Sequence, residues 1–162
     1  GQANLFVVDI HTEAFSTDGT KRKQIDEYKA ELDRLAADGK KFISGGDLNA
    51  LPPRTDKLVG FEDSRCPPDG EFNADDYSGE EEWVLPLYDY NPAIPLDEYE
   101  ADNAAHFTHT TDKEGFWNRK LDFLFTNLDV VAGSGQSHLG HTGTRTMPLS
   151  DHAPVSFRVV LP

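Results

Sequence analysis

The chain has 162 residues, with 15 Lys and Arg against 29 Asp and Glu, for a formal net charge of −14. That length suits one domain, and the acidity weighs against a surface built to grip duplex DNA, which needs clustered Lys and Arg. Cys66 is the lone cysteine, so no intrachain disulfide is possible, and no apolar run approaches the ~20 residues needed to cross a membrane.

Residues 5–10 form a nearly continuous apolar run of strand length, which predicts a strand covered on both faces. Asp18-Gly19 signals a turn. Residues 21–37 predict a helix, because Ile25, Tyr28, Leu32 and Leu35 recur at three- and four-residue spacing along one stripe. Asp38-Gly39 ends it, Gly suiting the left-handed position after a helix. The dense basic stretches, Lys21-Arg22-Lys23 and Lys40-Lys41, read as solvated surface. A second strand is expected over residues 41–44, after which Gly45-Gly46 let the chain turn sharply. Strand, helix, strand is a crossover unit.

Residues 52–105 have breaker composition, including Pro52-Pro53, Pro67-Pro68-Asp69-Gly70 and Glu80-Glu81-Glu82. They read as a long acidic insertion, pinned by Trp83, Leu85, Leu87, Tyr88 and Tyr90 as an ordered, substrate-facing cover. A short acidic helix is expected within 96–105. Strands are expected over 106–111, 120–127 and 129–133. A last strand over 153–161 would bury Val155, Phe157, Val159 and Leu161 on one face. His106 and His109, like His138 and His141, share a zinc-like spacing, but structural zinc normally adds cysteines. Gly133-Ser134-Gly135 lacks a phosphate-loop continuation and reads as a turn.

Three acidic words punctuate this pattern: Gly45 to Asn49 (Gly-Gly-Asp-Leu-Asn), Arg119 to Phe123 (Arg-Lys-Leu-Asp-Phe) and Leu149 to Pro154 (Leu-Ser-Asp-His-Ala-Pro). Each sets a carboxylate where an apolar run meets a loop. Any one word is ordinary turn chemistry, but turns do not require all three in order. Hard cations take carboxylate oxygens, water and substrate phosphate. His152, directly after Asp151, titrates near neutral pH. Together they point to metal-assisted attack of water on a phosphate ester.

In these words the chain resembles the endonuclease/exonuclease/phosphatase superfamily, whose members include deoxyribonuclease I. Asp47 and Asn49 match its Gly-Asp-x-Asn motif. Asp122 matches the aspartate of its Arg-x-Asp-Tyr strand, with Phe123 in place of Tyr. Asp151 and His152 match Ser-Asp-His-x-Pro, and His11 matches the histidine that ends a central strand. The resemblance implies an α/β fold, the C-terminal part of a four-layer α/β/β/α sandwich with a mixed, mainly antiparallel sheet. No segment matches the metal-binding Glu and the Asn of the family's first half. The chain is therefore expected to begin about halfway through the fold, as one partial domain and an incomplete hydrolase, with that Glu upstream and the cellular location left open.

The implied catalytic residues are His11, Asp47, Asn49, Asp122 and His152. Asp47 would orient or deprotonate the attacking water and Asn49 would donate to the scissile phosphate. Asp122 would accept from His152, which stabilises the transition state, and His11 would be a second imidazole. Asp151 would bind Mg²⁺, with Mn²⁺ as the alternative. Asn118, Arg119 and His109 are candidate substrate-binding residues, and Thr108 could line the cleft. The expected function is metal-dependent hydrolysis of a small or non-duplex phosphate ester. A nuclease is one alternative, and a non-catalytic binding relative of the same fold is another.

Overall fold

A computed structural model describes residues 4–14, 18–54, 80–110, 117–140 and 148–161. Cys66, His141 and the 55–79 part of the acidic insertion lie outside them. The chain is mixed α/β, and its main sheet has four strands in the order β1-β2-β4-β3. β1 (Leu5–His11) and β2 (Lys41–Asp47) run parallel, and β4 (Asp122–Thr126) is antiparallel to both β2 and β3 (Asn91–Pro92).

The helix α1 (Thr20–Ala37) makes the crossover between the parallel strands. Its stripe buries Ile25, Tyr28, Leu32 and Leu35 against Phe42, Phe123 and Phe125 of the sheet. Lys21 falls in register with that stripe and is fully buried. The solvated-surface reading therefore fails at Lys21, while Arg22 and Lys23 are exposed. The chain leaves α1 at Gly39, φ 68°, where Gly39 N–H donates to the Ala36 carbonyl.

β2 can lie between its neighbours because Gly45 and Gly46 carry no side chain. Their φ values are 156° and 142°, and a Cβ would sit 2.0 Å from the Phe123 carbonyl oxygen at Gly45 and 2.0 Å from that of Ile10 at Gly46. Only glycine satisfies both the backbone angle and the close approach.

The strand β1 is an edge and is covered on one face alone. Val8 and Ile10 pack on the core beneath α1, whereas Leu5 is 43% and Val7 78% exposed on the other face. Among the described residues, the expected two-sided burial is not met.

The described part of the insertion is more regular than its breakers suggest. It holds α2 (Glu80–Val84), a 3₁₀ turn (Leu85–Asp89), β3, α3 (Leu96–Ala101) and a second 3₁₀ turn (Asn103–His106). Leu87 is fully buried, and Trp83, Tyr88 and Tyr90 pack on the core with α1, while Leu85 is exposed. These anchors plug the α1 side of the sheet.

The later strands are shorter than expected. Among the described residues of the expected strand over 106–111, residues 106–110 form no strand. The segment makes isolated bridges at His109 to both Arg119 and His152. β5 (Asp129–Val130) pairs with β8 (Val159–Val160), and β6 (Gln136–Ser137) with β7 (Val155–Ser156). The chain end therefore changes partners midway. Val155 and Phe157 pack near Ala93, Ile94, Tyr99 and Leu124, but Leu161 is 64% exposed. No described helix is long and apolar enough to cross a membrane.

Candidate functional site

Register places the acidic words together. His11 is the partner of Asp47 across β1 and β2, and Asp47 is the partner of Asp122 across β2 and β4. Directly opposed residues project from the same face. Leu124, two residues after Asp122, packs on that face, whereas Phe123 points into the α1 core. The three side chains therefore form one row at the end of the sheet, on the face away from α1.

His152 completes the row from the last described segment. Its Nδ1 lies 2.8 Å from Asp122 Oδ2, and its Nε2 lies 3.6 Å from Asp47 Oδ2. His11 Nε2 approaches the same Asp47 oxygen at 3.5 Å, with a side chain that is 75% exposed. The hydrogen bond His152 donates to Asp122 raises the His152 pKa above its ordinary value against the opposing effect of burial. Burial raises the Asp47 pKa, with the Asp122 charge adding to it and the Asn49 N–H opposing. A half-buried carboxyl and a charge-prone imidazole thus face each other, the kind of pairing that marks sites of proton traffic.

Thr108 holds the pair in place. It is fully buried, and its Oγ1 accepts from Leu121 N–H at 2.9 Å and Asp122 N–H at 3.0 Å. Its carbonyl accepts from Ala153 N–H at 2.7 Å, directly after His152. One residue therefore fixes both Asp122 and the His152 segment. This is a positioning role, where the sequence suggested a cleft-lining one.

Asn49 departs from expectation. Asp47 and Asn49 do not share an extended face, because β2 ends at Asp47 and Asn49 is left-handed with φ 45°. Its N–H donates to Asp47 Oδ1 at 2.8 Å, and its Nδ2 donates to the Thr12 carbonyl at 3.0 Å. The amide is thus partly committed to the scaffold.

The other candidates sit around the row. The His109 ring meets His152 edge-on, centroids 4.7 Å apart. Burial and the neighbouring His152 push its pKa down to about 4. Arg119 is 1% and Asn118 8% exposed, so both lie within the body of the protein. Asp151 stands beside the row, where its charge reaches both imidazoles. It is not among the close-set ligand atoms of Asp47, Asp122 and His152, which lie within 4.8 Å of one another.

Lys120 carried no separate role in the sequence reading. It is 2% exposed, donates from Nζ to the Asp122 carbonyl at 2.9 Å, and lies over the Phe123 ring at 4.8 Å. Burial lowers its pKa to about 8. A depression of about 330 Å³ lined by Asn91, Pro92, Val130 and Gly133 lies at the opposite end of β4 from Asp122. It brings no comparable convergence of polar groups. No protein-family model matches the chain, and no curated protein matches its sequence.

Proposed function

We propose that this protein is a divalent-metal-dependent phosphoesterase of the endonuclease/exonuclease/phosphatase superfamily. On that reading the main sheet is part of a four-layer sandwich. The observation that carries it is the contact from Asp122 through His152 to Asp47, closed by His11 at the sheet end. Asp47, made more basic by burial, takes a proton from the attacking water as the water oxygen bonds to phosphorus, while the ester P–O bond breaks and the leaving oxygen takes a proton from solvent. His152, kept near its charged form by Asp122, sets Nε2–H against the negative charge growing on the phosphoryl oxygens. Exposed His11 serves the phosphate or leaving group from the solvent side. Asn49 has a second side-chain N–H for the phosphate. His109, whose ring meets that of His152, is the remaining candidate for substrate contact, since Arg119 and Asn118 lie within the body of the protein.

The donor set suits a hard cation through its carboxylates. His152 Nδ1 is taken by Asp122 and the ring is held toward its charged form, which repels a cation. Asp47 and Asp122 are engaged with Asn49 and His152. On the resemblance to the superfamily's Ser-Asp-His-x-Pro motif, Asp151 would hold Mg²⁺ or Mn²⁺. When bound, that ion supplies Lewis-acid polarisation of the phosphoryl oxygen.

The charge distribution favours a small or non-duplex substrate. On α1, Arg22, Lys23, Lys29 and Arg34 each pair with an acidic neighbour within 4.0 Å, so that helix offers no unopposed cationic strip. The test is to assay the full-length protein on a nitrophenyl phosphodiester and a nitrophenyl phosphomonoester with and without chelator. Metal-dependent turnover of either is expected. Full turnover in chelator would overturn the metal reading, and a strong preference for duplex DNA would overturn the small-substrate reading.

A further inference from the structure

Lys21 stands in the first turn of α1, where the helix dipole disfavours a cation, and it is fully buried. Its Nζ donates to Glu80 Oε1, itself 2% exposed, and to the Asn49 carbonyl at 2.8 Å. Burying two charges is costly, and an apolar pair of similar volume is often as stable or more so. Stability alone therefore does not explain the pair. Among the described bonds, the one from Lys21 to the Asn49 carbonyl ties the pair to the site.

That carbonyl belongs to a left-handed turn. Asn49 has φ 45°, a conformation that Asn tolerates better than most residues but that still has to be held in one orientation by its hydrogen bonds. Its Nδ2 is tied to Thr12, whose own N–H donates to the Asp47 carbonyl at 3.0 Å. Its N–H is aimed at Asp47 Oδ1. Lys21 supplies the tie at the third corner, from the other side of the sheet.

We infer that Lys21 is a positioning residue of the site: clamped by Glu80, its ammonium holds the left-handed Asn49 turn that orients Asp47. The kinetic consequence rests on the phosphoesterase reading, but the structural one does not. The test compares wild type with the double variant Lys21→Met/Glu80→Leu, which leaves no orphaned charge, and with Lys21→Arg. Amide hydrogen exchange at Asn49 is expected to speed up by about tenfold or more in the double variant while the β2–β4 ladder amides stay protected. The kcat for a nitrophenyl phosphodiester should fall by about 10²-fold with KM nearly unchanged, the size of effect a misplaced group produces. Lys21→Arg should recover part of both.

Unchanged Asn49 exchange in the folded double variant overturns the inference. So does a rise shared equally by Asn49 and the ladder, which would mean a purely global role. If the double variant does not fold, the same comparison on Glu80→Gln decides, with unchanged Asn49 exchange again counting against it. If wild type shows no turnover, the phosphoesterase reading fails while the exchange data still judge Lys21.

Discussion

Thr108 and His109 are adjacent, yet they serve the site in different ways. The Thr108 hydroxyl oxygen takes two backbone N–H groups in a fully buried setting. Thr108→Val keeps the shape but orphans both donors, so a loss of about 2–4 kcal/mol is expected by urea denaturation, with Thr108→Ser close to wild type. His109 is held neutral by burial, its pKa pushed down to about 4. Unfolding lets it protonate near its ordinary 6.5. Its contribution is therefore complete above pH ~6.5 and lost as the pH falls toward 4, by roughly 3 kcal/mol at most. His152 has the opposite sign. Its folded pKa is raised by Asp122, so its contribution is complete below pH ~6.5 and lost as the pH rises through the folded value. Melts of wild type and His109→Phe from pH 4 to 6.5 should show a slope in the first that flattens in the second.

Residue-scale chemistry was only partly readable in the sequence. The spacing of the three words brought out Asp47, Asp122 and His152, because each carboxylate sat where a strand met a loop. Lys21 was misread because a Lys-Arg-Lys run looks solvated. The missed signal was its register, four residues before Ile25 on the buried stripe. Nothing in the sequence marks the left-handed backbone of Asn49, and the i, i+2 reading required an extended chain that ends at Asp47.

Among the elements, α1 follows directly from periodicity, since a dense apolar stripe decides a helix, whereas β2 runs on through Gly45 and Gly46 to Asp47, where a sharp turn was expected, and its parallel pairing with β1 was left open. The two-residue strands do not. Residues 153–161 alternate as a strand should, but pairing is lost where the chain passes from β6 to β5, a tertiary choice that local pattern does not carry. Residues 80–105 gain their order from Leu87, Tyr88 and Tyr90 docking under α1. The most sensitive element is β2. Gly46→Ala would drive a Cβ to 2.0 Å from the Ile10 carbonyl oxygen at a φ of 142°, and a loss of about 3 kcal/mol is expected. Gly39→Ala meets nothing within 4 Å and bears only its φ of 68°, so it should cost about 1 kcal/mol. Paired denaturant titrations check the ranking.

For the molecule as a whole, among the described residues the sheet has one well-covered face and one that is apolar but partly open. On that face of the edge strand β1, Leu5 and Val7 are exposed. Val7→Lys should therefore change stability by less than about 0.5 kcal/mol while lowering the binding of an apolar fluorescent dye, as expected for a side chain that is 78% exposed. The candidate row lies at one end of that face, where three strands deliver His11, Asp47 and Asp122 and the final described segment delivers His152. Whether that row performs phosphoryl chemistry is decided most directly by hydrolysis of a nitrophenyl phosphodiester with Mg²⁺, comparing the full-length protein with its His152→Ala variant. Turnover should fall by about 10²–10⁴-fold in the variant with circular dichroism unchanged. Equal turnover by the two proteins would contradict the assignment.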